Sequence, residues 1–138
     1  KFVYKIIKQL ATQKEIVAVT DKIGSPTFTK DLSAGLIELV RTKKYGLYHL
    51  ANKGACSRYE IAKKIVDLMK KDNAVVRPVT SDAFRLAAPR SDSEAIESSK
   101  LGLLGMDNMR SWQEALKEYI SIIKQSKTSY NKKEQEDV

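Results

Sequence analysis

A short stretch at residues 21–33, DKIGSPTFTKDLS, gathers groups that could hold an anion. Ser25 and Thr27 carry hydroxyl donors, and Lys22 and Lys30 lie on either side of them. A tight Gly-Ser-Pro turn also exposes backbone N–H groups. Hydroxyl, N–H and ammonium groups together are what phosphate oxygens bind. The types and the spacing therefore indicate a site for a phosphorylated ligand.

The same stretch has a purely structural interpretation. Gly-Ser-Pro is a common turn sequence, and Thr29 could be the N-cap of a following helix, with Asp31 favourably placed against the helix dipole. The residues alone leave both interpretations open.

Tyr-x-x-x-Lys occurs twice, at Tyr4–Lys8 and Tyr59–Lys63. On a helix this spacing puts both side chains on one face, where a lysine can lower the pKa of the phenol and make it a general acid for carbonyl reduction. Such an enzyme also needs a glycine-rich cofactor loop, and GLLGMDN at 102–108 follows no strand and has asparagine in place of the third glycine. We therefore interpret both pairs as structural and predict no catalytic residue in this chain.

Metal and thiol chemistry are not favoured. His49 and Cys56 are the single histidine and the single cysteine, so we predict no metal site and no disulfide within the chain. His49 falls in a strand pattern and is predicted to be structural. Cys56 is predicted to be a small buried hydrophobic residue.

The elements that must position the turn alternate between helix and strand, which predicts an α/β fold. Apolar spacing, β-branched runs and two capping-box patterns mark the boundaries. We predict four helices, over 2–12, from Thr29 to about residue 40, after Ser57, and from Ser111 to about 123. We predict strands over 15–20 and 45–52 and an edge strand over 74–80 with Pro78. Loops with short elements are predicted over 81–110. These form one domain, 1–123, and a mobile polar tail is predicted over 124–138.

Charge and composition limit the classes of partner that the chain could bind. The net charge is +8, and its excess surrounds the Gly-Ser-Pro turn. This charge suits a phosphorylated ligand or a nucleic acid, and a solvated lysine-rich surface is the equal alternative. No apolar run approaches a membrane span, so we expect no membrane partner. A lone cysteine suits the reducing cytoplasm. The helical pattern already runs at residue 2 without a starting Met, so we interpret the chain as cut from a longer protein.

Five segments together resemble the dTDP-4-dehydrorhamnose reductase family of the extended short-chain dehydrogenase/reductase superfamily. They are DKIGSPTFTKDLS, YGLYHLANKGACSRYEIAKKI, VVRPVTSDAF, APR at 88–90 and MRSWQEALKEYI. The match runs from residue 2 to about 123. Arg58 stands where many members have tryptophan, and the proline that usually follows Arg90 is missing.

The resemblance implies the C-terminal, substrate-binding portion of a Rossmann-type fold, without its cofactor-binding half. It implies binding of a dTDP-sugar by Ser25, Pro26, Thr27, Arg58 and Arg90, with Arg90 as the main diphosphate ligand. NADPH and the catalytic Tyr-x-x-x-Lys would belong to the missing half, so this piece alone is expected to be inactive.

Alternatives remain from other functional classes. The chain could be a non-catalytic binding or regulatory module of the same fold. A nucleic-acid-binding domain is less favoured, because aromatic residues make up only 7% of the chain and most lie on apparent core faces. We also expect self-association, since segment 46–50 and helix 2–12 would lose partners that the missing half provides.

Overall fold

The computed structural model describes residues 2–84, 88 and 91–136 and confirms the α/β class. The helices are α1 (Phe2–Thr12), α2 (Thr29–Arg41), α3 (Arg58–Met69), α4 (Ser99–Leu103) and α5 (Trp112–Glu136). The strands are β1 (Glu15–Val19), β2 (Ile23–Gly24), β3 (Cys56–Ser57), β4 (Val75–Val79) and β5 (Ser93–Glu94). A 3₁₀ turn, Ser81–Ala83, follows β4.

The two longer strands pair in parallel, as β-branched runs separated by helices predict. Glu15 lies opposite Val75 at the start of the ladder. The Val75 N–H donates to the Lys14 carbonyl, so the alternation along β4 turns the nitrogen of Pro78 away from β1. A proline is tolerated on such an open side, and the edge position predicted for it is confirmed.

The core lies where α1, α3 and the start of α5 cover β1. Ile16 and Ala18 alternate with outward residues along β1 and face this core. Each helix contributes one apolar stripe. The buried cluster consists of Ile6, Ile7, Leu10, Ile16, Ala18, Cys56, Ile61, Ala62, Ile65, Trp112, Leu116 and Ile120.

Both predicted capping boxes are present. Ser57 Oγ accepts from the Glu60 N–H at 3.1 Å, and the Ser57 N–H donates to Glu60 Oε2 at 2.7 Å. Ser111 and Glu114 make the same pair of bonds, at 3.3 and 3.0 Å. Each box satisfies two N–H groups that a helix start leaves open, and so fixes where α3 and α5 begin.

The N-cap predicted for α2 is wrong by one residue. Phe28 is the N-cap, with extended φ and ψ of −80° and 127°, and Thr29 is already helical. The Phe28 N–H donates to Asn52 Oδ1 at 2.8 Å. A side chain distant in sequence therefore ties down this helix start, which a local capping rule cannot detect.

The strand predicted over 45–52 is also wrong. Among the described residues this segment joins no ladder, and Lys53, just after it, makes an isolated bridge. Tyr45 and Leu47 are 90% and 79% exposed. Lys100 Nζ donates to the Leu47 carbonyl at 3.2 Å, so side chains rather than a neighbouring strand hold the segment. Its apolar residues suited a strand, but no strand lies beside it in the described part of the chain.

The last helix continues through the polar segment that begins at residue 124. The sequence predicts the end of the apolar stripe near residue 123, whereas α5 runs to Glu136. The mobility predicted for 124–138 stays a prediction.

Self-association also stays a prediction, but the structure changes which surface would cause it. Ile6, Ile7 and Leu10 of α1 are buried within the chain, so this helix does not lack a partner surface as the sequence suggested. By contrast α2 buries no residue, and Leu36 and Val40 are more than half exposed. Exposed apolar stripes favour association. Sedimentation velocity over a concentration series should show a rising weight-average mass, and a constant monomer would contradict the prediction.

Candidate functional site

An open cleft of about 520 Å³ lies beside the Gly-Ser-Pro turn. Gly24, Ser25 and Pro26 line it, and so does Arg58 at the start of α3. The structure therefore brings together three of the five residues that the sequence singled out as substrate-binding, namely Ser25, Pro26 and Arg58.

Short strands hold the turn at the edge of the cleft. In β2, Ile23 and Gly24 pair antiparallel with β3 and parallel with β5. Ser25 Oγ donates to the Ile96 carbonyl and accepts from the Ile96 N–H, both at 3.1 Å. A Cβ built on Gly24 would meet nothing within 4 Å. The turn is therefore fixed in place and leaves open space at its backbone.

Thr27 has a different environment from the one its sequence position suggested. Its hydroxyl donates to the Ser25 carbonyl at 3.1 Å and accepts from the Asn52 N–H at 3.3 Å. It lines a neighbouring groove and is absent from the lining of the cleft. In this structure the Thr27 hydroxyl therefore holds the turn together.

Arg58 lies at the junction of the cleft and the neighbouring groove. Its guanidinium carbon is 4.8 Å from the centre of the Phe2 ring, a cation–π contact that orients the planar group. The capping box at Ser57 sets the start of α3 and so places Arg58 in the first helical turn. A cation there adds to the positive end of the helix dipole.

The charges around the cleft are mainly positive. Lys5, Lys22 and Arg58 line it together with Glu94. Lys22 donates to Asp92 at 2.7 Å, and this hydrogen bond raises the pKa of the lysine. The Asp92 carboxylate offsets its charge, so attraction of anions rests mainly on Lys5 and Arg58. A cleft with this balance attracts anions.

Cys56 is not placed for nucleophilic chemistry. It is buried, and burial together with the nearby Glu60 carboxylate raises the pKa of its thiol to about 12. The thiolate is the reactive form, so such a group is inert near neutral pH. The prediction of a small buried hydrophobic residue is confirmed.

A neighbouring groove of about 370 Å³ adjoins the cleft through Pro26 and Arg58. Its lining is largely aromatic and aliphatic: the rings of Phe28 and Tyr119 lie 5.6 Å apart at 60°, and Trp112 borders the same space. The two spaces together offer a polar region beside an apolar one, which suits an amphipathic ligand.

The remaining sequence candidates lie away from the cleft or outside the described residues. Lys8 lies 5.1 Å from the Tyr4 ring centre and Lys63 lies 5.7 Å from that of Tyr59, so both Tyr-x-x-x-Lys pairs are helix-surface cation–π contacts. His49 is exposed, and its predicted position within a strand is wrong because 45–52 is not one. Arg90 lies outside the described residues, as does most of the APR segment.

The described residues offer neither a metal site nor a membrane-spanning helix. Within them, no group of three or more His, Cys, Asp or Glu side chains is arranged to hold a metal ion. No helix in the described ranges combines the length and apolar character needed to cross a bilayer.

Sequence reasoning missed a polar cluster behind the turn, centred on Asp31. Arg110 donates to both Asp31 oxygens, at 2.9 and 2.8 Å, and Asn52 Nδ2 donates to Asp31 Oδ2 at 2.8 Å. Arg110 also pairs with Glu118 at 2.6 Å. These residues come from three distant parts of the sequence, at 31, 52 and 110–118. The one local signal is Asp31 in the first turn of a helix.

This cluster predicts a specific loss of stability in acid. Burial alone would raise the pKa of Asp31, but hydrogen bonds from Arg110 and Asn52 outweigh it and the folded-state pKa is lowered. The stabilisation from Asp31 is therefore present above the unfolded-state pKa of about 3.9 and is lost as the pH falls through the lower folded-state value. Thermal melts of Asp31→Asn should start from a lower Tm and show a shallower fall as the pH drops below about 4.

The control for this prediction is Asp72→Asn, which alters an exposed carboxylate beyond the end of α3. It should keep the wild-type slope of Tm against pH. Equal slopes for Asp31→Asn and wild type would contradict the prediction.

The chain is similar in sequence or structure to three known proteins. The chain is 35% identical over 119 residues to the spore coat polysaccharide biosynthesis protein SpsK of Bacillus subtilis, covering 86% of this chain and 41% of that protein. It superposes with a TM-score of 0.85 and 34% identity on a dTDP-4-dehydrorhamnose reductase of Clostridium acetobutylicum, covering 90% of this chain and 44% of that one. With the Bacillus anthracis dTDP-4-dehydrorhamnose reductase solved in complex with NADP, the TM-score is 0.78 and the identity 36%, over 87% of this chain and 42% of that one.

The chain thus spans less than half the length of each of these proteins. The resemblance predicted from the five sequence segments is confirmed, and so is a partial Rossmann-type α/β fold of the extended short-chain dehydrogenase/reductase class. Residues 1–125 match the RmlD substrate binding domain, and the chain therefore belongs to that family.

Proposed function

We propose that this chain is the substrate-binding part of an NADPH-dependent reductase that converts dTDP-4-dehydro-rhamnose to dTDP-rhamnose. Hydride would pass to the C4 keto group of the sugar, in the biosynthesis of dTDP-rhamnose and of cell-wall polysaccharide. The observation that carries the proposal is the cationic cleft formed by the Gly-Ser-Pro turn and Arg58, within a chain that matches a substrate-binding domain over residues 1–125.

The chemistry of the cleft suits a nucleoside diphosphate sugar. A diphosphate favours arginine and exposed backbone donors, and the cleft is lined by Arg58 and by Gly24, whose backbone has open space beside it. The apolar groove next to it could cover a flat ring, because its lining includes Phe28 and Tyr119. Arg90 is a further proposed diphosphate ligand, by resemblance to the family signature.

The chemical step would use residues outside this chain. The described tyrosine–lysine pairs are surface contacts on α1 and α3. We propose that the catalytic tyrosine, the catalytic lysine and the NADPH site belong to the part of the relatives that this chain does not match. The role of this chain is to bind and orient the dTDP-sugar.

Isothermal titration calorimetry on the chain tests this assignment. We expect saturable binding of dTDP, weaker binding of dTMP, and still weaker binding of thymidine, because each loss of phosphate removes charge that the cleft would hold. NADPH, followed by its own fluorescence, should give no saturable binding. Absence of dTDP binding at millimolar concentration would contradict the substrate assignment. Micromolar NADPH binding would contradict the proposal that the NADPH site lies outside this chain.

A further inference from the structure

Asn52 is a buried polar residue that contacts the turn without lining the cleft. Its side chain is 1% exposed, and a buried amide needs its hydrogen bonds because each unsatisfied group is costly. Oδ1 accepts from the Phe28 N–H at 2.8 Å, and Nδ2 donates to Asp31 Oδ2 at 2.8 Å and to the Arg110 carbonyl at 3.2 Å. Its own backbone N–H donates to Thr27 Oγ1 at 3.3 Å.

These bonds join the turn to two helices. On one side Asn52 holds the backbone of Phe28 and the hydroxyl of Thr27, the last two residues before α2. On the other side it holds Asp31 in the first turn of α2 and the Arg110 carbonyl just before α5. Bonds between Ser25 and Ile96 fix the other end of the turn. The turn is thus anchored at both ends, and Asn52 provides the anchor nearer to α2.

Asparagine has the combination of groups that this position requires. The site needs one acceptor for an N–H and two donors for two oxygens, and the amide supplies both from one short side chain. Aspartate would place a carboxylate oxygen against Asp31 and lose both donors. Alanine would remove every side-chain bond and leave the Asp31 and Phe28 groups without this partner.

We propose that Asn52 is a positioning residue for the ligand cleft, holding Ser25 and Pro26 at the wall where the diphosphate sugar binds. It acts through the turn and does not touch the ligand. The identity of the ligand rests on the proposed function above, while the positioning itself rests on the four hydrogen bonds of Asn52.

The test compares Asn52→Ala with Ile120→Ala in the same chain. Ile120 is buried in α5 and lines neither the cleft nor the groove, so its replacement lowers Tm through a core cavity. The first measurement, without ligand, is amide hydrogen exchange at Phe28 by NMR. The second is dTDP affinity by calorimetry at a temperature where both variants are folded.

For Asn52→Ala we expect exchange at Phe28 to be at least about tenfold faster and dTDP binding about tenfold weaker, the size expected for one lost hydrogen bond to a buried group. Ile120→Ala should match the wild type in both measurements despite its lower Tm. If Asn52→Ala exchanges and binds like Ile120→Ala, the positioning role is overturned and Asn52 is merely structural.

Two other failures can be distinguished from failure of the positioning role: a wild type that does not bind dTDP, and an Asn52→Ala variant that does not fold. If the wild type does not bind dTDP, the proposed function fails, and exchange at Phe28 still decides the positioning role. If Asn52→Ala does not fold, Asn52→Ser replaces it, because serine keeps a polar group at the buried position but is too short to make the bonds to Phe28, Asp31 and the Arg110 carbonyl. Asn52→Ser should change both measurements in the same direction, and wild-type values for it would overturn the proposal.

Discussion

Trp112→Ala is expected to lower the free energy of unfolding by about 3–5 kcal/mol, the usual cost of removing a large buried aromatic side chain. Trp112 is 7% exposed and belongs to the core cluster that joins α5 to α1 and α3. A Cβ built on Gly54 would lie 3.1 Å from its Cδ1 atom, so the ring packs closely against that backbone. Domains of this size have about 5–15 kcal/mol of stability in total, and the variant should therefore be close to unfolding at 37 °C.

Urea denaturation followed by circular dichroism measures this change, since the variant lacks the only tryptophan of the chain. Trp112→Phe retains much of the buried ring and should lose clearly less stability. Ile122→Ala, at a partly exposed position in the same helix, should cost about 1 kcal/mol or less. A Trp112→Ala variant within about 1 kcal/mol of wild type would show that α5 does not depend on this ring.

Elements whose causes are local were predictable from the sequence. The capping boxes at Ser57 and Ser111 depend on residues three positions apart, and both helices begin where these patterns indicate. The stripe of α1 and the alternation of β1 reflect burial on one face, which the sequence shows directly. The turn was found from its residue types and Arg58 from the family resemblance, and the structure brings them to one cleft.

Features that depend on distant partners were not predictable in this way. Segment 45–52 has the apolar, aromatic character of a strand, but a strand forms only if another lies beside it. In the described part of the chain none does, and Lys100 holds the segment instead. The N-cap of α2 was misplaced for a related reason, because Asn52, 24 positions beyond Phe28, satisfies its backbone.

The polar cluster around Asp31 is a stronger example of contacts between distant residues that the sequence does not predict. Asp31, Asn52, Arg110 and Glu118 are ordinary residues in their local contexts, and no spacing rule connects them. Their arrangement becomes visible once the start of α2 is placed near the start of α5. The sequence identified the wall of the cleft, and the structure identifies what holds that wall in position.

The second large effect is expected on dTDP affinity when either arginine proposed to bind the diphosphate is replaced. We expect Arg58→Ala and Arg90→Ala each to weaken dTDP binding by about 1.5–3 kcal/mol, the range for hydrogen bonds to charged groups. This corresponds to roughly 10- to 150-fold in Kd. Arg58 is expected to act from the geometry of the cleft, and Arg90 from its place in the family signature. Lysine at either position should restore only part of the loss, because it cannot form the two parallel bonds of a guanidinium.

Calorimetry with dTDP on the chain measures each variant against Arg77→Ala as the matched control. Arg77 lies in β4, pairs with Glu15 at 2.7 Å and is absent from the lining of the cleft, so its loss changes the net charge by the same amount at a remote place. Arg77→Ala should therefore bind dTDP like the wild type, apart from a small change that salt screens. If Arg58→Ala binds as tightly as Arg77→Ala, the diphosphate does not contact the start of α3. If Arg90→Ala alone reduces binding, Arg90 and not Arg58 holds the diphosphate.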